Sequence, residues 1–549
     1  MIKFKFVFKE KEMEMEINLK QTQIEHYQKI RNVYDNGYSF YIDCSVMGSG
    51  KTYIALKLAQ DYNLDLFVIC PKSVVNNWNK LANEFEIKIH YCSTYQTFRG
   101  TKSKKDGKVS LGHNWLINEP ILFRGSYLSE YRVTKQFIEL LKNNEKGILF
   151  VFDEFHNLKN RTDQYRSVYE ITKITSNYKN HKMAFLSSTP FDKKDSVRNV
   201  VTVTGMASEP LIIANGYEYD ISGTLEFVNL CNRLNPQKTK RYFHSKRRYI
   251  ASSLTNVIYK LYTEIIVPNL VFIMPPPAIE AKLDIKNSHY PIDTESQYLI
   301  TEGMIKMKNA IKAMYNLGQM DMDITVGLGA SLALLEEGKI GIIKKAVNEV
   351  LKMETSKAIV FVSYNKTINA LKEYFKDFEP LILNGSCSLK KRRDIISKFQ
   401  SHDLRYRLLI SNTKVGGTGI DLHDTHGNIP RFMFLLPNFN MIDIHQACGR
   451  IYRIGTKSDA FIRLVYTDQN EQRIIESIQK KTIVLKEATD KNILYAGDYP
   501  IVPVETSFLE LEQLQYKQMF NQVLMELKYL PELSVEYQEA LNRFQNKDY

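Results

Sequence analysis

The 549-residue chain is 44% hydrophobic and 25% charged, a globular balance that excludes a disordered polymer and has room for several domains. Lysine and arginine outnumber aspartate and glutamate by 74 to 61, a net charge of +13, which points to a polyanionic partner such as nucleic acid against the plainer reading of a generically basic protein. The six cysteines form no C-x-x-C pair, which argues against a disulfide framework or a zinc site and fits a reducing compartment inside a cell. No apolar run is long enough for a membrane span.

The chain opens on MIKFKFVFKEKEMEMEINL, where charged and apolar residues alternate. This is the pattern of a β segment over residues 1–18, not of a signal peptide. Short apolar runs then recur with helical stretches between them: FYIDCS, LFVIC, GILFVFD and MAFLSS, and later AIVFVS, PLILNG, RLLISN, FMFLLP and FIRLVY. Strands alternating with helices predict parallel sheets covered on both faces. The expected architecture is therefore α/β, with two lobes over 19–200 and 336–482. A helical region over 201–335 joins them, and a polar, helical tail over 483–549 could cap the second lobe or bind a partner. The joining region holds a basic cluster, KTKRYFHSKRRY, and then MPPPA, whose prolines break any helix.

The first chemistry follows the first strand. CSVMGSGKTYIALKLA brings Gly48, Ser49 and Gly50 to a helix that begins at Lys51 and Thr52. Glycines let backbone N–H groups approach phosphate oxygens, Lys51 reaches the outer phosphates, and Thr52 can hold Mg²⁺. Ser45 stands where this loop usually has glycine or alanine. Further on, GILFVFDEFHN ends an apolar strand in Asp153 and Glu154. Asp153 is the candidate ligand of Mg²⁺ and Glu154 the group that orients or deprotonates an attacking water. The competing reading is a capping aspartate at a strand end, which the upstream phosphate loop disfavours.

These stretches resemble motifs I and II of superfamily 2 helicases of the DEAH-like kind. VICPKSVVNNW resembles the Snf2 branch through Pro71, Ser73 and Trp78, and HNLKN through Lys159 and Asn160. STYQTF, with Thr94 and Tyr95, resembles motif Ib, and FLSSTPFDKK resembles motif III. Gln23, in LKQTQIEHY, lies where the family places an adenine-reading glutamine; a surface helix residue is the alternative. In the later part, KAIVFVSYNKTINAL, LLISNTKVGGTGIDL and PNFNMIDIHQACGRIYRIG resemble motifs IV, V and VI, the last through Gln446, Gly449, Arg450 and Arg453. The mixture is similar to the viral Snf2-related nucleoside triphosphatases of poxviruses and other large DNA viruses, which implies a host cytoplasm or virion location and partners in transcription or packaging.

The resemblance implies two RecA-like lobes, ATP and Mg²⁺ as ligands, and movement along duplex DNA. Arg450 and Arg453, three residues apart, are read as sharing one helix face, with no acid in CGRIYRIGTK to neutralise them. By the family pattern they meet the γ-phosphate; the alternative is a contact with nucleic acid or a local carboxylate. Lys72, Ser73, Thr94, Thr413, Lys414 and Gly416 are the candidate contacts to nucleic-acid phosphates. RGTKSKKDGKVS reads as an exposed basic loop that either touches the duplex or is merely solvated. No wedge for strand separation stands out. Duplex translocation is thus expected ahead of a strand-separating helicase, a nucleic-acid-dependent triphosphatase of viral transcription, or an inactive nucleic-acid-binding scaffold.

Overall fold

The computed structural model describes residues 16–489, apart from 47, 104–106, 124–125, 210–212, 216–217, 221, 245–250, 275–278, 291, 318–321, 354, 417–419 and 468–470. The N-terminal β segment before residue 16, the tail beyond 489 and the three consecutive prolines therefore lie outside the described residues. The chain forms two compact units. One runs to Ala278 and is completed by a return from Gln479; the other runs from Ile279 to Ile478.

In the first unit six strands form one sheet: β1 (Phe40–Asp43), β2 (Asp65–Cys70), β3 (Ile89–Thr94), β4 (Ile148–Asp153), β5 (Lys182–Leu186) and β6 (Val271–Phe272), in the spatial order β6-β1-β5-β4-β2-β3. Every pairing is parallel. The apolar runs are continuous because both faces are covered. Phe67, Ile69, Phe150 and Phe152 join one core, while Leu66, Val68, Leu149 and Val151 join the other. Helix α1 (Gln21–Asp35) sends Tyr27, Ile30 and Tyr34 into that second core.

The second unit repeats the plan with β7 (Leu283–His289), β8 (Lys357–Val362), β9 (Leu381–Leu383), β10 (Leu408–Asn412), β11 (Arg431–Leu435) and β12 (Ala460–Tyr466), ordered β7-β12-β11-β8-β10-β9 and all parallel. Parallel strands carry their ligand sites beyond their carboxyl ends, and the motif-bearing loops leave the sheets there.

Three segments differ from the sequence expectation. The stretch expected to be helical supplies β6 and β7, each at a sheet edge with a single neighbour, where a strand can be short or polar. The basic loop over 99–110 carries a small hairpin, Thr101–Lys102 against Val109–Ser110. A longer antiparallel hairpin, Leu116–Phe123 with Ser126–Val133, follows it. Among the described residues no helix is long and apolar enough to cross a membrane.

Candidate active site

The loop after β1 depends on two left-handed glycines, Gly48 (φ +79°) and Gly50 (φ +96°), conformations that side-chained residues avoid. Gly50 caps the helix Lys51–Asp61. A Cβ at Gly50 would sit 2.2 Å from Nε2 of Gln23, so the glycine also permits a close approach from α1. That amide donates to the Ser49 carbonyl at 3.0 Å, and its oxygen accepts from Lys20 N at 2.9 Å. Gln23 is thus a buried residue on the loop, not a surface one. Lys51 Nζ donates to the carbonyls of Ser45 (2.6 Å) and Val46 (3.1 Å). The Ser49 hydroxyl is buried with no partner among the described residues. A curled loop of backbone amides, an orphaned hydroxyl and a lysine at a helix start fit a polyphosphate.

Asp153 ends β4. The indole Nε1 of Trp78, a fully buried residue, donates to its Oδ2 at 3.1 Å. Burial, and then the neighbouring Glu154, push the Asp153 carboxyl up to about 6, while Trp78 and Lys51 pull the other way. Glu154 takes a left-handed backbone (φ +54°). Its Oε2 lies 3.1 Å from His156 Nδ1 and accepts from Ser187 Oγ at 3.3 Å. Ser187 Oγ is also 3.1 Å from His156 Nδ1, which closes a triangle. Ser187 N donates to the carbonyl of Asp43, so the residue after β5 is tied to the end of β1. Asp153 and the Thr52 hydroxyl are hard oxygen donors of the kind Mg²⁺ takes.

In the second unit Gln446 is buried on the helix Met441–Cys448. The expectation that Arg450 and Arg453 share a helix face is corrected here. The helix stops at Cys448 and both arginines lie in the turns beyond it. Beyond the helix Arg450 O accepts from Leu422 N at 3.0 Å, a bond outside any helical register. Arg450 is 5% exposed and donates Nη1 to Ile420 O at 3.3 Å. Arg453 pairs with Asp421, an acid outside the stretch that had looked unneutralised.

Lys72 and Ser73 are exposed in the turn after β2. Thr94 ends β3 and caps the next helix by accepting from Thr97 N at 3.0 Å. After β10, Lys414 is exposed. The Thr413 hydroxyl is buried and donates to Val362 O at 3.1 Å. Gly416 closes the short helix that starts at Thr413. The sequence reading missed the donors around the acidic pair. In the sequence Trp78 reads as a motif letter only, and His156 and Ser187 lie in the quoted stretches without a role.

Comparison with known proteins adds lineage to this geometry. The model for the type III restriction enzyme, res subunit, matches residues 16–192, and that for the helicase conserved C-terminal domain matches 338–455. A mimivirus protein, "Putative ATP-dependent RNA helicase L364" of Acanthamoeba polyphaga mimivirus, is 23% identical over 83% of this chain and 81% of its own length. The fission-yeast "DNA repair protein rhp54" is 21% identical over 77% of this chain and only 51% of its own. The solved "SWI2/SNF2 ATPase core domain" of Sulfolobus solfataricus aligns over 91% of this chain and 94% of its own at 18% identity, with a TM-score of 0.28. One model matches in each unit, and the long alignments to viral and Snf2-type relatives make the chain similar over most of its length to Snf2-like proteins of helicase superfamily 2.

Proposed function

We propose that the chain hydrolyses Mg²⁺-bound ATP to track along duplex DNA without opening it. The observation that carries this reading is the Trp78 to Asp153 bond at 3.1 Å. It joins the Snf2-like stretch CPKSVVNNW directly to the acidic pair. In this reading Gln23 reads the adenine, while Gly48, Ser49, Gly50 and Lys51 hold the phosphates. Thr52 and Asp153 hold Mg²⁺, which neutralises phosphate charge. Glu154, steadied by His156 and Ser187, takes the proton of the attacking water. Gln446, Arg450 and Arg453 act on the transferring phosphoryl group. Lys72, Ser73, Thr94, Lys414 and backbone at Thr413 and Gly416 lie along the carboxyl edges of the two sheets, where a phosphate backbone can be gripped without reading sequence. The relatives named for DNA repair support DNA as the polymer; the mimivirus relative is named for RNA.

The test is ATP turnover against single- and double-stranded DNA and RNA, with displacement of a third strand from a triplex. Duplex-stimulated turnover and ATP-dependent triplex displacement are expected. Stimulation by single strands alone would overturn the duplex reading. Strand separation is the second reading, favoured by one feature. The hairpin at Leu116–Phe123 exposes Ile117 (46%) and Ile121 (48%) on one face, and apolar residues on a hairpin can part base pairs. Fork unwinding that Ile117→Ser with Ile121→Ser abolishes would support it.

A further inference from the structure

Helix α1 grips the phosphate loop at two points, of which Gln23 is one. His26, one turn later on the same face, is 2% exposed. Its Nε2 lies 3.0 Å from Asp43 Oδ2 and 3.5 Å from Ser45 Oγ. Asp43 is fully buried at the end of β1, and its other oxygen accepts from Ser45 N at 2.9 Å. Ser45 offers its carbonyl to Lys51 Nζ at 2.6 Å, and its hydroxyl accepts from Met274 N at 2.8 Å. Four elements therefore converge on the first residue of the loop.

A buried carboxylate is costly unless cations and donors surround it. Burial works against the Asp43 charge, yet the His26 ring, and after it Lys51 and the Ser45 side chain, hold its carboxyl below the ordinary range. The Lys51 charge thus also acts on Asp43, and Lys51 is the cation that phosphate needs.

We propose that His26 is a positioning residue for nucleotide binding: by occupying Asp43, it keeps that carboxylate on Ser45 N and leaves the Lys51 ammonium to the phosphates. This rests on the reading of residues 45–52 as the phosphate loop. Without the imidazole, Lys51 is the remaining cation whose charge favours the Asp43 carboxylate, and Asp43 competes with phosphate for it. The effect falls on phosphate affinity, not on the water-activating step.

The experiment uses the full chain and two probes, a fluorescent ATP analogue and inorganic triphosphate as competitor. His26→Ala is expected to weaken both by the same factor, about tenfold, the scale of one charge-assisted hydrogen bond. Turnover at saturating ATP should stay within about twofold, since a lost uniform binding term leaves kcat intact. His26→Gln, whose amide can donate to Asp43, should restore most of the affinity. The decisive variant is His26→Ala with Asp43→Asn. It removes the competing charge, so triphosphate affinity should return towards wild type even though two side chains have changed. A double variant that binds triphosphate as poorly as His26→Ala overturns the proposal, as does wild-type affinity in His26→Ala itself. If His26→Ala does not fold, the double variant alone decides, because near-wild-type affinity is expected of it and a loss rejects the idea. If Lys51→Ala binds triphosphate like wild type, the phosphate-loop reading fails, and the inference with it.

Discussion

Glu154 sits in a backbone conformation that costs a non-glycine residue free energy of order 1 kcal/mol. In return its carboxylate is turned away from the strand axis of Asp153 and onto His156 and Ser187. Two adjacent acids thereby acquire separate surroundings. Glu154→Gln should bind ATP with near-normal affinity while single-turnover hydrolysis falls by about 10² or more. Lys51→Ala should lose nucleotide binding itself, read by the same fluorescent analogue. The arginines separate in a different way. Arg453 is half-buried and pairs with the exposed Asp421, whereas Arg450 is buried with a carbonyl partner. Arg453→Ala should lower turnover by about 10³ with little change in melting temperature. Arg450→Ala should lower both, because it leaves Ile420 O unpaired and opens a cavity. Melting curves beside turnover at saturating ATP separate the two. Trp78→Phe keeps the ring but removes the donor to Asp153, so half-maximal turnover should require several-fold more Mg²⁺, with melting nearly unchanged.

At the scale of elements, the strands that could be read in advance are those buried on both faces. FYI, LFVIC and ILFVF are apolar throughout because the sheet demands it, and a continuous apolar run bounded by glycine or an acid is legible without a structure. The hairpin LINEPILF–SYLSEYRV was not legible. Among the described residues its strands pair only with each other, the first contains Pro120, and one face is open to water, so neither period nor composition marks it. The arginines misled for a related reason, since spacing of three says helix only while the helix lasts. Lys51, Asp153 and Glu154 were legible because phosphate chemistry fixes their offsets from a strand end. Trp78 and His26 were not, because their partners are distant in sequence, and His156 was not because one side of its triangle, Ser187, comes from another strand end.

One element carries a pH signature. Lys357 opens β8 fully buried and donates to Phe399 O (2.8 Å) and Ser401 O (2.7 Å), capping the helix Leu389–Gln400. Burial first, and then the nearby Arg431, lower its ammonium pKa to about 8. In the unfolded chain the same lysine keeps its proton to about 10.4. Between these values the unfolded state binds the extra proton, so stability rises with pH through that window. Chemical denaturation of the second unit at pH 8 and pH 10 should show the rise, and Lys357→Met should flatten it.

For the whole molecule the surplus of +13 matters more than any single lysine. Nucleic-acid affinity should fall steeply with salt, by roughly −0.9 in log K against log salt for each duplex phosphate neutralised. Titrations at three salt concentrations give the slope, and a flat response excludes a grip on the phosphate backbone. The first unit also has a feature that bears on how the protein is made. Its core is not complete at Ala278. Val484 and Ala488, from the helix Gln472–Ala488, pack into it, and Tyr259 donates to Glu487 Oε2 at 2.5 Å. Synthesis runs in one direction, and domains generally fold in the order they emerge. Here the unit that emerges first must wait for some two hundred residues of the other before its last helix turns arrive. A nascent chain halted between Ile279 and Ile478 should therefore present the first unit with an uncovered apolar face, the kind of surface that holding chaperones bind. A ribosome-stalled series should show that surface closing only once Ala488 has been released from the exit tunnel.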